Sequence, residues 1–160
     1  MAKIVIGISQ MGISSSHEDV LVTHSLGSCL GLAAYDPNAK VGAILHCLLP
    51  TPQNGRHREN LNPFMFVSSG IPEMMRQLMA KRATKMSLVL KAAGCGRMMR
   101  LANNKFDIGA KNFAILAKLF EKNNIRLASK DIGGSIPRTM YLHMDTGRVV
   151  ISSRGKEWEL

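Results

Sequence analysis

The sequence predicts an α+β domain built in layers. Three observations carry this. Short apolar and β-branched runs crowd both ends of the chain, two amphipathic helical stretches lie between them, and strict strand–helix alternation is missing. The 160 residues suit one domain spanning 1–160, large enough for a real core. No repeat, linker or low-complexity stretch divides them.

Residues 4–8, Ile-Val-Ile-Gly-Ile, and residues 20–26 read as short strands separated by a polar loop over 10–19. Runs 31–35 and 41–49 form a hairpin around Asp36-Pro37-Asn38-Ala39, which opens with turn-forming residues. A loop over 50–63 follows, holding Pro50, Pro52 and Pro63. Pro72 suits the first turn of a helix that continues over 73–82, with Met74, Met75, Leu78 and Met79 as its apolar stripe. Residues 86–90 read as a strand leading to the glycine loop Gly94-Cys95-Gly96. The clearest helix covers 107–122, with Ile108, Phe113, Leu116, Leu119 and Phe120 on its buried face and Asn123-Asn124 at its end. A strand over 125–129, a Gly133-Gly134 loop and a hairpin of 139–144 with 148–152 complete the pattern. The tail, 153–160, is polar and shows no period.

Composition narrows the function classes. Hydrophobic residues make up 46% and charged residues 20%, as in ordinary globular proteins. The apolar run over 41–49 is far too short to cross a bilayer, so no membrane insertion is expected. Lys3 is followed by only a short apolar run, unlike a signal peptide, and a cytoplasmic protein is expected. The three cysteines, Cys29, Cys47 and Cys95, form no CxxC pair, which argues against a disulfide framework or a zinc site. The net charge of +10 admits a solvated basic surface or an acidic partner. The basic residues are scattered and aromatics are only 5%, so a nucleic-acid binder ranks last.

The informative stretch is Thr23-His24-Ser25-Leu26-Gly27-Ser28-Cys29. A strand ends there in small residues and the chain turns. Gly27 allows a sharp bend and Ser28 leaves room for a substrate. A cysteine at such a turn sits beside free backbone N–H groups, which can stabilise the oxyanion formed when a thiolate attacks a carbonyl. A free thiol titrates near pH ~8.5, so it needs a base nearby. Strand alternation over 41–49 puts Gly42, Ile44, His46 and Leu48 on one face and Cys47 on the other. If this strand pairs near Gly27, His46 meets Cys29. A cysteine beside glycine also serves as a core filler, as Cys47 between Leu45 and Leu49 does. Cys95, between two glycines, reads as exposed and is the internal rival to Cys29.

Thr23, Leu26-Gly27-Ser28-Cys29 and His46-x-x-Leu49-Pro50 together resemble the signature of the CheD family of chemoreceptor glutamine deamidases. Ile108-Gly109-Ala110-Lys111-Asn112 resembles that family's IG-x-RN element, with Lys for Arg. Asp131-x-Gly133-Gly134 and Arg138 resemble its D-x-GG-xx-GR element, with Pro137 in place of a glycine. The family's K-x-FGGA stretch stands here as Lys91-Ala92-Ala93-Gly94-Cys95-Gly96. The resemblance implies Cys29 as nucleophile, His46 as general base and acid, Thr23 as the third member, and Gly27 and Ser28 around the oxyanion. It implies a β-sandwich-like core of mixed and antiparallel strands with two to three helices packed on it, similar to the deamidase domain of cytotoxic necrotizing toxins. It implies receptor cytoplasmic helices as substrate, a CheC-type phosphatase as partner, and no cofactor or metal. The alternative it leaves is a regulatory module that docks on CheC with little or no deamidation.

Overall fold

The computed structural model describes residues 2–52, 62–98 and 107–160. Its strands are β1 (Lys3–Ile6), β2 (Gln10–Ser14), β3 (Val20–Leu26), β4 (Leu30–Asp36), β5 (Val41–Cys47), β6 (Val89–Gly94), β7 (Ser129–Ile132), β8 (Arg138–His143), β9 (Val149–Ser153) and β10 (Lys156–Glu159). Its helices are α1 (Val67–Ala80) and α2 (Ile108–Lys122). The strands form two five-stranded sheets, in the orders β1-β3-β8-β9-β10 and β2-β5-β4-β6-β7. Pairings are antiparallel except β1 with β3 and β6 with β7, which are parallel. This is the expected α+β sandwich of mixed strands, with two helices among the described residues.

Two apolar layers hold it together. One lies between the sheets and contains Ile6, Leu21, Leu26, Cys29, Ala33, Ile44, Met140, Leu142 and Ile151. The other lies between the second sheet and the helices, where Leu32, Leu45 and Cys47 meet Met74, Leu78, Leu116 and Phe120. β5 is an inner strand of its sheet, between β2 and β4, and is covered on both faces, so all seven of its residues are buried. Alternation then sorts them: Val41, Ala43, Leu45 and Cys47 face the helices, and Ile44 faces the other sheet. His46, two residues on, shares the face of Ile44.

Several elements depart from the sequence expectation. Within the presumed polar loop 10–19, Gln10–Ser14 is a strand paired with β5, because Met11 and Ile13 alternate onto the helix-side core. α1 begins at Val67, so Pro72 lies inside the helix rather than in its first turn. The early start follows from the chain leaving β5: the carbonyls of Leu49 and Pro50 accept the amides of Val67 and Ser68. β6 begins at Val89, and Met86 is exposed. β7 begins at Ser129, while Ile125 and Leu127 pack against the core before it. The patternless tail forms β10 against β9 and carries Trp158, whose indole N–H donates to Asp131 at 2.6 Å. Most of the 50–63 loop lies outside the described residues.

Asp36 fastens the β4–β5 turn to the segment before β6. Its carboxylate accepts from the amides of Asn38, Ala39 and Thr84 and from the Ser87 hydroxyl. At the other end of the sheet, α2 is anchored on the glycine loop. Asp107 caps it by accepting from the Ala110 amide at 3.0 Å. At Gly109 an added Cβ would lie 2.3 Å from the Gly96 carbonyl oxygen and 2.5 Å from that of Cys95. Alanine is the better helix former by up to ~1 kcal/mol in open positions. Here the sign reverses, because backbone cannot yield as a side chain can. Gly109→Ala is expected to destabilise the fold by roughly 2 kcal/mol or more. Denaturant unfolding checks this, and a neutral or stabilising result contradicts the packing described.

Candidate active site

The sequence-predicted residues come from both sheets and converge at one end of the sandwich. Thr23 is on β3 in the first sheet and fully buried. His46 is on β5 in the second sheet and also fully buried. Thr23 Oγ1 lies 2.6 Å from His46 Nδ1, so a hydrogen bond crosses the sandwich. The same hydroxyl donates to the Ile6 carbonyl at 2.7 Å. A hydroxyl has one proton to give. With that proton on Ile6, Thr23 accepts from His46, which puts the imidazole proton on Nδ1. Nε2 is left with a bare lone pair, and it has no partner among the described residues.

Thr23 reaches inward because the strand bends just after it. The β3–β8 register slips between Thr23 and Leu26, and Ser25 has φ 62°. This bulge lets Thr23 and Leu26 both face the other sheet although three residues apart. The left-handed residue is therefore Ser25, not Gly27. A Cβ at Gly27 would stand 2.9 Å from Met98 Cγ, a contact the exposed Met98 side chain can relieve by shifting.

Cys29 immediately precedes β4, whose register pairs Gly31 with His46 and Leu30 with Cys47. Alternation places Cys29 and Gly31 on the His46 face, and Cys29 packs in the layer between the sheets. Cys29 and His46 are thus diagonal neighbours, a relation of about 7–8 Å between backbones in regular pairing. No hydrogen bond joins the Cys29 thiol to His46, whose Nε2 has no partner among the described residues. Cys47, on the opposite face, is the core cysteine expected.

The loop that presents Cys29 is fixed from one side. The Gly27 carbonyl accepts from the Gly96 amide at 2.8 Å, and the Cys29 carbonyl accepts from the Cys95 amide at 2.8 Å. The Ser28 carbonyl accepts from Asn112 Nδ2 at 3.0 Å. In a planar trans peptide the N–H points opposite the C=O. Pinning the Gly27 and Ser28 carbonyls therefore turns the Ser28 and Cys29 amides the other way. The Gly27 amide is itself committed to the Ser25 carbonyl at 3.0 Å. The donors available to an oxyanion are those of Ser28 and Cys29, while Gly27 shapes the turn.

Cys95 is not the exposed thiol its glycine neighbours suggest. It is buried against the helix-side core, and burial pushes its thiol up to about 12. Its backbone has φ 53° and follows Gly94 at φ 98°, which turns the side chain away from solvent. Cys47 is driven up still further by burial.

Burial also sets the charge state of the candidate pair. It lowers His46 to about 4 and raises Cys29, a rise that the Cys29 backbone N–H partly opposes. The resting pair is thus neutral thiol and neutral imidazole. Proton transfer must accompany attack rather than precede it.

Asn112 and Arg138, which stand in the family-like elements but carry no role assigned from the sequence, brace the backbone around the site. Asn112 is fully buried and also donates to the Leu48 carbonyl at 3.2 Å. It closes the family-like Ile108–Asn112 element and lies at helical spacing from Leu116 and Phe120, on the face the helix buries. Arg138 is buried and donates to the Gly133 carbonyl at 2.7 Å and, more weakly, to the Gly94 carbonyl and Asp131 at 3.4 Å. Among the described residues no group of histidine, cysteine and carboxylate side chains suits a metal ion.

A thiol beside two loop amides that no other described residue engages, with a neutral imidazole oriented by a hydroxyl, has the parts of a thiol-dependent amide hydrolase. The chain belongs to the CheD family: the family described as CheD chemotactic sensory transduction matches residues 48–153. Relatives similar over nearly the whole chain extend the likeness to the segment before residue 48. A protein of Solibacter usitatus is 38% identical over 160 residues, covering 100% of this chain and 94% of that one. One from Symbiobacterium thermophilum is 38% identical over 94% of this chain and 92% of its own. One from Pyrococcus horikoshii is 33% identical over 93% and 91%. All three are named probable chemoreceptor glutamine deamidase CheD. A solved Neisseria meningitidis protein of the DUF152 family is similar over 82% of this chain and 63% of that one, at TM-score 0.45 and 7% identity, too loosely to bear on function.

Two pH responses follow. Alkylation of Cys29 by iodoacetamide is expected to rise with pH beyond 9, because its thiol lies above the ordinary value of 9.0. A reactive plateau at pH 6–7, the mark of a preformed thiolate–imidazolium pair, would contradict this. For stability, His46 titrates at about 4 in the fold against 6.5 ordinarily, so the unfolded chain takes up the proton first as pH falls. The His46 contribution is whole above pH 6.5 and is lost towards pH 4. Denaturant unfolding of His46→Gln should show a flatter pH dependence in that window than the wild type.

Proposed function

We propose that this chain is a protein-glutamine deamidase of chemotaxis that hydrolyses glutamine side chains of chemoreceptors to glutamate. The observation that carries this is the Thr23–His46 hydrogen bond, which leaves Nε2 bare on the face that Cys29 shares. The CheD family membership supplies the substrate class.

In this reading Cys29 Sγ attacks the carboxamide carbon while its proton passes to His46 Nε2. The carbonyl π electrons move to oxygen, where the Ser28 and Cys29 amides meet the charge. The His46 imidazolium then protonates the amide nitrogen as the C–N bond breaks, and ammonia leaves. An unprotonated amide nitrogen is a very poor leaving group, so this step needs the acid. His46 next takes a proton from water as the water attacks the thioester carbon. Collapse returns that proton to sulfur and frees glutamate. Thr23 keeps Nδ1 protonated throughout, so that Nε2 does the exchanging.

The substrate glutamine belongs to a receptor's cytoplasmic helices, which places the work in the cytoplasm, with residues 1–160 acting as one domain. No described helix is long and apolar enough to cross a membrane. The net charge of +10 favours encounter with acidic helices at low salt. A CheC-type phosphatase is proposed as a second partner on the family resemblance. A docking module without deamidation is the weaker reading, because docking has no need of a buried, tautomer-locked imidazole.

Incubating a cytoplasmic receptor fragment with the protein is expected to convert specific glutamines to glutamate, read by mass spectrometry. Cys29→Ala should convert none. Conversion by Cys29→Ala at the wild-type rate would remove Cys29 as nucleophile. Thr23→Val keeps the volume and removes the hydroxyl, so kcat should fall about 10- to 100-fold. Thr23→Ser should keep most of the activity, and equal loss in both variants would contradict the orienting role.

A further inference from the structure

We infer that Asn112 is a positioning residue of this site, setting the direction of the Cys29 amide and the place of the strand end beyond His46. The inference rests on the deamidase reading and adds to it a residue on α2.

The Asn112 side-chain amide donates to two carbonyls, Ser28 at 3.0 Å and Leu48 at 3.2 Å. The first belongs to the peptide whose nitrogen is that of Cys29. The second lies two residues past His46. One carboxamide thus ties the nucleophile loop to the base strand.

The loop carbonyls on either side, of Gly27 and Cys29, are held by backbone amides of the glycine loop. Among the described residues, the Ser28 carbonyl is the one of the three held by a side chain. Its peptide is the one that aims the Cys29 N–H, a donor the oxyanion needs. A hydrogen bond to a carbonyl also polarises the N–H of the same peptide and strengthens it as a donor. Asn112 therefore acts on the transition state through the backbone, without touching the substrate.

Packing alone does not call for this residue. Leu116 and Phe120 fill the same helix face with apolar side chains. Asn112 instead buries a carboxamide whose Oδ1 has no partner among the described residues. Such an unpaired buried oxygen is costly. The donated hydrogen bonds to Ser28 and Leu48 are what the position supplies in return.

The test is Asn112→Asp, assayed for ammonia release from a receptor fragment between pH 5 and pH 8. The Asp side chain keeps the shape but faces two carbonyl oxygens as an acceptor when ionised. When protonated it can donate to one of them, and burial beside carbonyls favours that form. His46, at about 4, remains a neutral base at pH 5, so the wild type is a fair reference there. At pH 8 kcat should fall about 100-fold with KM within about twofold, as for a lost oxyanion donor. The ratio of variant to wild-type kcat should recover about tenfold by pH 5. A role confined to packing would not produce that recovery.

Wild-type kcat at pH 8 in the folded variant, or a pH-independent ratio, overturns the inference. If the Asp variant does not fold, Asn112→Ala replaces it, with a kcat loss of about tenfold or more expected and wild-type kcat overturning. If the wild type itself releases no ammonia, the deamidase reading fails separately. Cys29 alkylation by iodoacetamide then decides: a variant curve displaced from the wild type supports Asn112, and coincident curves overturn it.

Discussion

One hydrogen bond, from His46 Nδ1–H to Thr23 Oγ1, joins the two sheets at the end where the candidate chemistry lies. It works only because Thr23 has a second commitment, to the Ile6 carbonyl on the neighbouring strand. That commitment fixes the hydroxyl proton, and the fixed proton selects the imidazole tautomer. The requirement then spreads outward. β1 must pair in parallel with β3 to bring Ile6 beside Thr23. β3 must carry a bulge to face both Thr23 and Leu26 inward. β5 must be an inner strand covered on both faces to bury the ring and keep it neutral.

The nucleophile side is built on a different principle. Cys29 sits on a loop whose shape comes from its carbonyls. The glycine loop after β6 holds two of them, and α2 holds the third. This explains why the glycines cluster there. Gly94 has φ 98° and an added Cβ would lie 2.3 Å from the Cys29 carbonyl oxygen. Gly109 lets α2 start directly on the backbone of Cys95 and Gly96. Neither glycine touches the chemistry, yet both set how closely the three segments approach.

Much of this was legible in the sequence, for identifiable reasons. β3 was read with its observed bounds, and the β4–β5 hairpin and α2 to within a residue or two at their ends, because local period and turn residues decide them. The face shared by Ile44 and His46 follows from alternation alone. The pairing of Thr23 with His46 came from the family resemblance, since no local rule links residues on two different sheets. β2 was missed because Gln10 and Ser14 mask a two-residue apolar alternation. β10 was missed because an edge strand needs little apolar pattern. The exposure of Cys95 was misjudged because glycine neighbours suggest a surface loop, and here they allow close packing instead. Asn112 is legible as the last residue of the family-like Ile108–Asn112 element, but its role depends on carbonyls 84 and 64 residues away in the chain.

The most direct test of this account is the protonation state of His46, read by nitrogen NMR of protein labelled at histidine. One tautomer is expected at pH 7, with the proton on Nδ1 and Nε2 bare, persisting down to a titration near 4. Thr23→Val should release that preference. An imidazolium at pH 7, or a proton resident on Nε2 in the wild type, would contradict the central claim.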